Sequence, residues 1–302
     1  SNHNGDMDLA KELINSAKSC GADAVKFQSF TNKSLIAREE YDRNQSYDDG
    51  DGGKKHFGTL KEMVNRYYLR EEQHFELFEY CQNNNIVFCS TPFSIHEVDL
   101  LQRIGVSFYK VASMDINNLN LLRYIAQKQK PILLSTGMAT LSEIASAIDT
   151  IESEGNDQIV ILHCIAIYPP DDNDIHLNNI QMFQKVFKYP VGFSDHTIGT
   201  AISTASVALG ACVIEKHFTI DKDMDGWDHT ISADPQELED IIKGSKSIQK
   251  SLGSFNRTIS KAEEEKKLKF RRSIVTAKKL KKGKIIKFED LDSKRPGTGI
   301  PP

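Results

Sequence analysis

The sequence predicts an α/β protein whose main body is a (β/α)8 TIM barrel. Three observations lead there. Short β-type runs alternate with amphipathic helical runs from residue 7 to residue 218. Several of those runs are almost continuously apolar, as parallel strands buried on both faces must be. Nearly every run also ends in polar or ionisable groups, as expected when the C-terminal ends of barrel strands share one rim.

The elements follow in order. Residues 7–19 (MDLAKELINSAKS) place Leu9, Leu13, Ile14 and Ala17 on one helical face. Strands are predicted at 23–30 (DAVKFQSF), 86–91 (IVFCST), 107–113 (SFYKVAS), 131–137 (PILLSTG), 158–165 (QIVILHCI), 191–196 (VGFSDH) and 212–218 (CVIEKHF). Between the fourth and fifth, residues 141–151 repeat Ile144, Ala147, Ile148 and Ile151 at helical spacing. Thr140 and Glu143 form a capping box for that helix. Because a helix precedes the first visible strand, the remaining barrel strand is expected before Ser1. An open doubly wound sheet is the second choice. Residues 42–58 (DRNQSYDDGDGGKKHFG) read as a long loop.

Helical pattern continues through residues 235–252, and the charged stretch 261–269 (KAEEEKKLK) reads as a helical linker. After residue 272 short β-type runs alternate with glycine turns. The expected organisation is a barrel over residues 1–256, a linker over 257–271, and a small β-rich unit over 272–302 that is only part of a domain.

Composition narrows the class. The net charge of −4 gives no footprint for nucleic acid, which needs a clustered basic excess. The basic stretch 278–287 reads as a solvated face. Five cysteines without a C-x-x-C motif speak against a disulfide framework and suit a reducing, cytoplasmic setting. No run of about 18 apolar residues offers a membrane span.

His196 and His217 lie one strand–helix–strand step apart, so a barrel places them on neighbouring strands at similar height. Either alone could be a hydrogen-bonded histidine at a strand end. Together they form a candidate site for a first-row divalent cation. Asp195, Glu215 or Asp228 could complete or orient the shell. Lys26, Lys110 and Lys216 sit in apolar strands, where a lysine is costly unless paired. They could form a cationic cradle for a phosphorylated or carboxylated substrate, or internal ion pairs with Glu215, Asp115 and Asp23. A Schiff-base role for one of them is a further reading.

These segments resemble the N-acetylneuraminate (sialic acid) synthase family, with its legionaminate, pseudaminate and spore-coat-polysaccharide relatives. The matching stretches are NHNGD (2–6), GADAVKFQ (21–28), STPF (90–93), YKVAS (109–113), LSTGMATLSEI (134–144), LHC (162–164), YPP (168–170), GFSDHTIG (192–199), GACVIEKHFTID (210–221), Asp228-His229, RRSIV (271–275) and KRPGTGI (294–300). They span the chain and keep their order.

The resemblance implies a barrel followed by an antifreeze-like (SAF) domain in a domain-swapped homodimer. It implies condensation of phosphoenolpyruvate (PEP) with an N-acylhexosamine, such as N-acetylmannosamine, giving a nine-carbon 2-keto sugar acid and phosphate. A divalent metal, Mn²⁺ or Mg²⁺, is expected on His196 and His217, acting on the sugar aldehyde as a Lewis acid. Lys26, Lys110, Ser113, Ser135 and Ser194 match PEP contacts, and Gln28 and Thr91 line the same pocket. Asp115 stands where a glutamate is usual beside the reacting centre. Tyr168 and Asp228 match sugar contacts, and Arg295 matches an arginine that reaches the partner subunit's site to bind the N-acyl group. Ile165-Ala166 replaces the more frequent Thr-Asn, and the family's Ala-Glu-x-Gly strand is not in this chain. The alternatives are another PEP-dependent keto-deoxy sugar acid synthase, or a catalytically inactive sugar-binding barrel.

Overall fold

The computed structural model describes residues 1–43 and 59–302, so most of the expected loop at 42–58 lies outside the described residues. The chain divides into two compact units, Ser1–Leu252 and Gly253–Pro302.

Seven strands run through the first unit: β1 (Ala24–Ser29), β2 (Val87–Pro92), β3 (Tyr109–Val111), β4 (Ile132–Ser135), β5 (Ile159–Cys164), β6 (Val191–Asp195) and β7 (Ile214–Lys216). All ladders among them are parallel, β1 with β2 and then β3 through β7 in chain order. Strand β2 lies beside β3. The sheet is curled so far that Lys26 on β1 and Glu215 on β7, the two end strands, are joined by an ion pair of 2.8 Å. Each of the seven predicted strands is present, and no eighth strand is found among the described residues of the first unit.

Helices cover the outside. They are α1 (Met7–Cys20), α2 (Arg38–Arg43), α3 (Leu60–Tyr67), α4 (Glu71–Asn83), α5 (Ile95–Ile104), α6 (Leu119–Ala126), α7 (Leu141–Glu152), α8 (Asn179–Phe187), α9 (Ala201–Ala208) and α10 (Pro235–Leu252). Local chemistry sets their ends. The Asp6 carboxylate accepts from the Asp8 and Leu9 amides at the start of α1, and Gly21 takes the left-handed conformation (φ +94°) that ends it. Thr140 and Glu143 close the capping box that opens α7. The apolar face of α1 (Ala10, Leu13, Ile14, Ala17) is buried, as are Ile144, Ala147, Ile148 and Ile151 of α7. Ala10 and Ile14 of α1 and the four α7 side chains pack with Tyr109, Leu134, Ile161 and Phe193 in one core between sheet and helices. Burying strands on both faces leaves the strand ends as the place where polar groups collect.

Gly192 in β6 shows how close the strands are. A Cβ there would stand 2.6 Å from Leu162 Cδ2 and 2.7 Å from the Val213 carbonyl oxygen. That carbonyl accepts the Phe193 amide at 2.8 Å and cannot retreat without breaking the ladder. Gly192→Ala is expected to cost about 1–3 kcal/mol of stability, the usual range for overpacking. A urea unfolding midpoint equal to that of the unaltered protein would refute this.

The second unit holds α11 (Lys261–Phe270) and an antiparallel pair, β8 (Ser273–Thr276) with β9 (Leu291–Lys294). Part of its basic stretch is neutralised internally: Asp290 takes Lys278 at 3.0 Å and Lys284 at 2.5 Å. Among the described residues no helix is long and apolar enough to cross a membrane, and all five cysteines are free.

Candidate active site

The C-terminal ends of β1 to β7 bring the predicted polar residues to one rim. Two layers occur there, because side chains alternate along a strand. Ser194 of β6 is in register with Glu215 of β7, and Asp195 with Lys216. The first pair faces the barrel interior with Lys26 and Lys110, and the second faces away from it.

A single oxygen organises the interior layer. Glu215 Oε1 accepts from Lys26 Nζ at 2.8 Å and from Ser194 Oγ at 2.9 Å, and lies 3.8 Å from Lys110 Nζ. Lys110, whose side chain is only 3% exposed, donates to Ser135 Oγ at 2.6 Å and to the Val111 carbonyl at 2.8 Å. Burial by itself would push the Glu215 carboxyl up. The Lys110 and Lys26 ammonium groups, with the Ser194 hydroxyl, more than offset that and hold it well below the usual carboxylate range. Burial pulls Lys110 down against the pull of Glu215, with Lys26 adding to the fall.

Lys216 does not belong to this cradle. Its ammonium points to the outer layer, 2.8 Å from Asp195 Oδ2, and also donates to the Thr197 carbonyl. Asp195 is satisfied on every side: Oδ1 accepts the Thr197 amide at 2.8 Å, and Oδ2 also accepts the Ser203 hydroxyl. Both side chains are essentially buried, at 3% and 0% exposure. Residue 216 alternates with 215 and 217 and so must face the other way.

His196 and His217 converge just beyond β6 and β7, with ring centroids 5.3 Å apart. Tyr168 covers them, 4.1 Å from the His196 ring and edge-on to His217 at 6.0 Å. His196 Nδ1 is 2.7 Å from the Ile165 carbonyl oxygen. A carbonyl only accepts, so Nδ1 carries the proton and Nε2 keeps its lone pair. Burial and the neighbouring His217 hold the His196 imidazole neutral, its pKa pulled down to about 4. Asp228 Oδ2 sits 3.5 Å from His217 Nδ1 and accepts the Ser1 hydroxyl at 2.5 Å. A neutral His196 with Nδ1 held by a carbonyl, beside a second ring whose Nδ1 faces a carboxylate, offers the donor chemistry of a divalent-metal site. Among the described residues there is no cluster of three or more His, Cys, Asp or Glu arranged to hold a metal. The donor chemistry of His196 and His217 suits a first-row divalent cation.

The remaining predicted residues of the first unit occupy the same rim. Gln28 and Thr91 are register partners at the ends of β1 and β2. Ser113 and Asp115 lie on a short 3₁₀ turn after β3. Ser113 Oγ accepts the Gly137 amide at 3.0 Å. Asp115 accepts from Asn118 Nδ2 at 3.2 Å through Oδ1, while its buried Oδ2 has no hydrogen-bond partner. Burial raises its pKa. Arg295 lies in the second unit, with its guanidinium 5.0 Å from the Phe270 ring centroid.

Sequence reasoning undervalued two groups. Glu215, by sequence a candidate for a metal shell or a lysine partner, is the centre of the cation cluster. Cys164, buried at the end of β5, has its Sγ 4.0 Å from His196 Nδ1. Strand alternation was the signal for the first, since 215 and 217 share a face. No sequence signal points to the second.

The family described as "NeuB family" matches residues 13–257 of this chain. The chain is 42% identical, over 305 residues, to an N,N'-diacetyllegionaminic acid synthase of Campylobacter jejuni, covering 99% of this chain and 89% of that protein. It is 33% identical to the human N-acetylneuraminate-9-phosphate synthase, covering 97% of this chain and 80% of that protein. Among solved structures, an N-acetylneuraminic acid (sialic acid) synthetase from Leptospira borgpetersenii, in complex with citrate, superposes with a TM-score of 0.78. The two are 32% identical, and the match covers 88% of this chain and 86% of that one.

Proposed function

The chain belongs to the NeuB family of PEP-condensing nonulosonic acid synthases, and from that premise we propose that it joins PEP to an N-acylated hexose of the diacetamido type. The product is then a legionaminate-like nine-carbon 2-keto acid, released with phosphate. The identity to a diacetyllegionaminic acid synthase over nearly the whole chain carries this reading. N-Acetylmannosamine is the second candidate acceptor, favoured by the likeness to the Leptospira enzyme.

In the proposed reaction C3 of PEP bonds to the sugar aldehyde carbon, water adds at C2, and the C2–O bond to phosphate breaks. Lys26, Lys110, Ser135 and Ser194 hold the phosphate and carboxylate, and Gln28, Thr91 and Ser113 line the pocket around them. Asp115 carries a carboxyl whose pKa burial raises, which suits it to hand a proton to the new alkoxide or to orient the water. Tyr168 and Asp228 contact the acceptor. His196 and His217 would hold Mn²⁺ or Mg²⁺, which when bound supplies Lewis-acid polarisation of the aldehyde oxygen. A second copy of the chain would contribute Arg295 to the N-acyl group, making the active form a homodimer. On the same reading residues 1–256 are the synthase domain and residues 272–302 are antifreeze-like.

The test is phosphate release from PEP with Mn²⁺ and either 2,4-diacetamido-2,4,6-trideoxymannose or N-acetylmannosamine, with products weighed by mass spectrometry. Release is expected to be faster with the diacetamido sugar and to stop on chelation. A higher kcat/KM for N-acetylmannosamine would reverse the acceptor assignment. No release with either sugar would overturn the enzymatic reading for this chain.

A further inference from the structure

The groups assigned to PEP are not free in this structure. Lys26 and Ser194 both donate to Glu215 Oε1, at 2.8 and 2.9 Å, and Lys110 lies 3.8 Å from the same atom. Two ammonium groups in one partly dry pocket repel each other and are costly without an anion. The chain supplies that anion itself. A phosphate or carboxylate arriving at Lys26, Lys110 and Ser194 needs the same donors, and the Ser194 hydroxyl has one proton to give. It also brings negative charge up to a carboxylate already seated there.

We propose that Glu215 is a resident counter-anion that occupies the substrate-anion position in the ligand-free protein and is displaced from Lys26 and Ser194 when PEP binds. This rests on the assignment of Lys26, Lys110 and Ser194 to PEP. The exchange needs no movement of the strand. Lys216, the next residue, is anchored on the opposite face through Asp195 and Thr197, so only the Glu215 side chain has to turn. Its return to Lys26 and Ser194 then assists release of phosphate. The exchange keeps the two lysines neutralised in both states, and it lowers PEP affinity by the strength of the internal bonds that must be given up.

The experiment compares the unaltered chain with Glu215→Gln and Glu215→Asp. Thermal unfolding is followed in chelator-containing buffer, alone and with inorganic phosphate or PEP over a range of concentrations. The shift in Tm reports ligand affinity by mass action. Without ligand, Glu215→Gln is expected to melt lower than the unaltered chain, because two cations lose their partner. With PEP or phosphate it should recover by more than the unaltered chain gains. The corresponding Kd should be tighter by about tenfold or more, the worth of one charge-assisted hydrogen bond no longer competed for. Glu215→Asp, one methylene shorter, keeps the charge but reaches Lys26 and Ser194 poorly, and should fall between. If Glu215→Gln does not fold, the same ordering between Glu215→Asp and the unaltered chain decides the matter.

An equal or smaller gain in the variants would overturn the proposal while leaving PEP at this site. A variant that tightens for phosphate while PEP stabilises none of the three proteins would support the counter-anion role and overturn the PEP assignment. No response of any protein to either ligand would overturn both.

Discussion

Replacing His217 by alanine is expected to abolish tight Mn²⁺ binding and, with it, PEP-dependent phosphate release. The rings of His196 and His217 stand 5.3 Å apart, and no described third ligand could take over. Losing one of two protein nitrogens should cost well over the roughly 10–100-fold that removal of an outer-shell partner costs. Asp228→Asn is the matched control. Asp228 lies 3.5 Å from His217 Nδ1 and would orient the ring rather than bind the cation. Its replacement should fall within the 10–100-fold range of outer-shell partners. Titration of free Mn²⁺ by electron paramagnetic resonance, beside a steady-state phosphate assay, measures both. Unchanged Mn²⁺ affinity in His217→Ala would refute the ligand assignment. Equal losses in the two variants would mean that Asp228 binds the cation directly.

The largest loss of stability is expected at Lys216. Lys216→Met keeps the length of the side chain and removes its charge, leaving the Asp195 carboxylate at 0% side-chain exposure with only neutral donors from Thr197 and Ser203. Breaking one side of such a pair is expected to cost about 3–5 kcal/mol, because the remaining charge stays buried without its partner. The double variant Asp195→Asn with Lys216→Met removes both charges and should cost less than the two single variants combined. Urea unfolding gives all three values. A cost below about 1 kcal/mol for Lys216→Met would place this pair with exposed ion pairs, against the burial seen here.

The two predictions concern adjacent residues of one strand with unrelated tasks. His217 serves the rim and Lys216 the seam between β6 and β7. Reading the three strand lysines as one cradle missed this division. Lys26 and Lys110 share Glu215, which is the internal ion pairing that was the alternative to a cradle, whereas Lys216 pairs with Asp195.

Much of the architecture was determined by the sequence alone, because the forces behind it are local. Apolar runs of strand length, separated by amphipathic helices, place all seven strands within a few residues of where they lie. Asp6, Thr140 and Gly21 mark helix ends through bonds and backbone conformations within a few residues of themselves. The crowding of polar groups at strand ends located the rim, and the equal step between His196 and His217 put both there at one height. Alternation sets Glu215 and His217 on one face and Lys216 on the other, but the tertiary structure alone decided which of the two faces turns inward and which partner each residue meets. A strand buried on both sides is apolar throughout and carries no amphipathic signal to orient its few polar residues. Only the curl of the sheet and the register of β6 against β7 turn Glu215 inward to meet Lys26 across the seam, and Lys216 outward to meet Asp195.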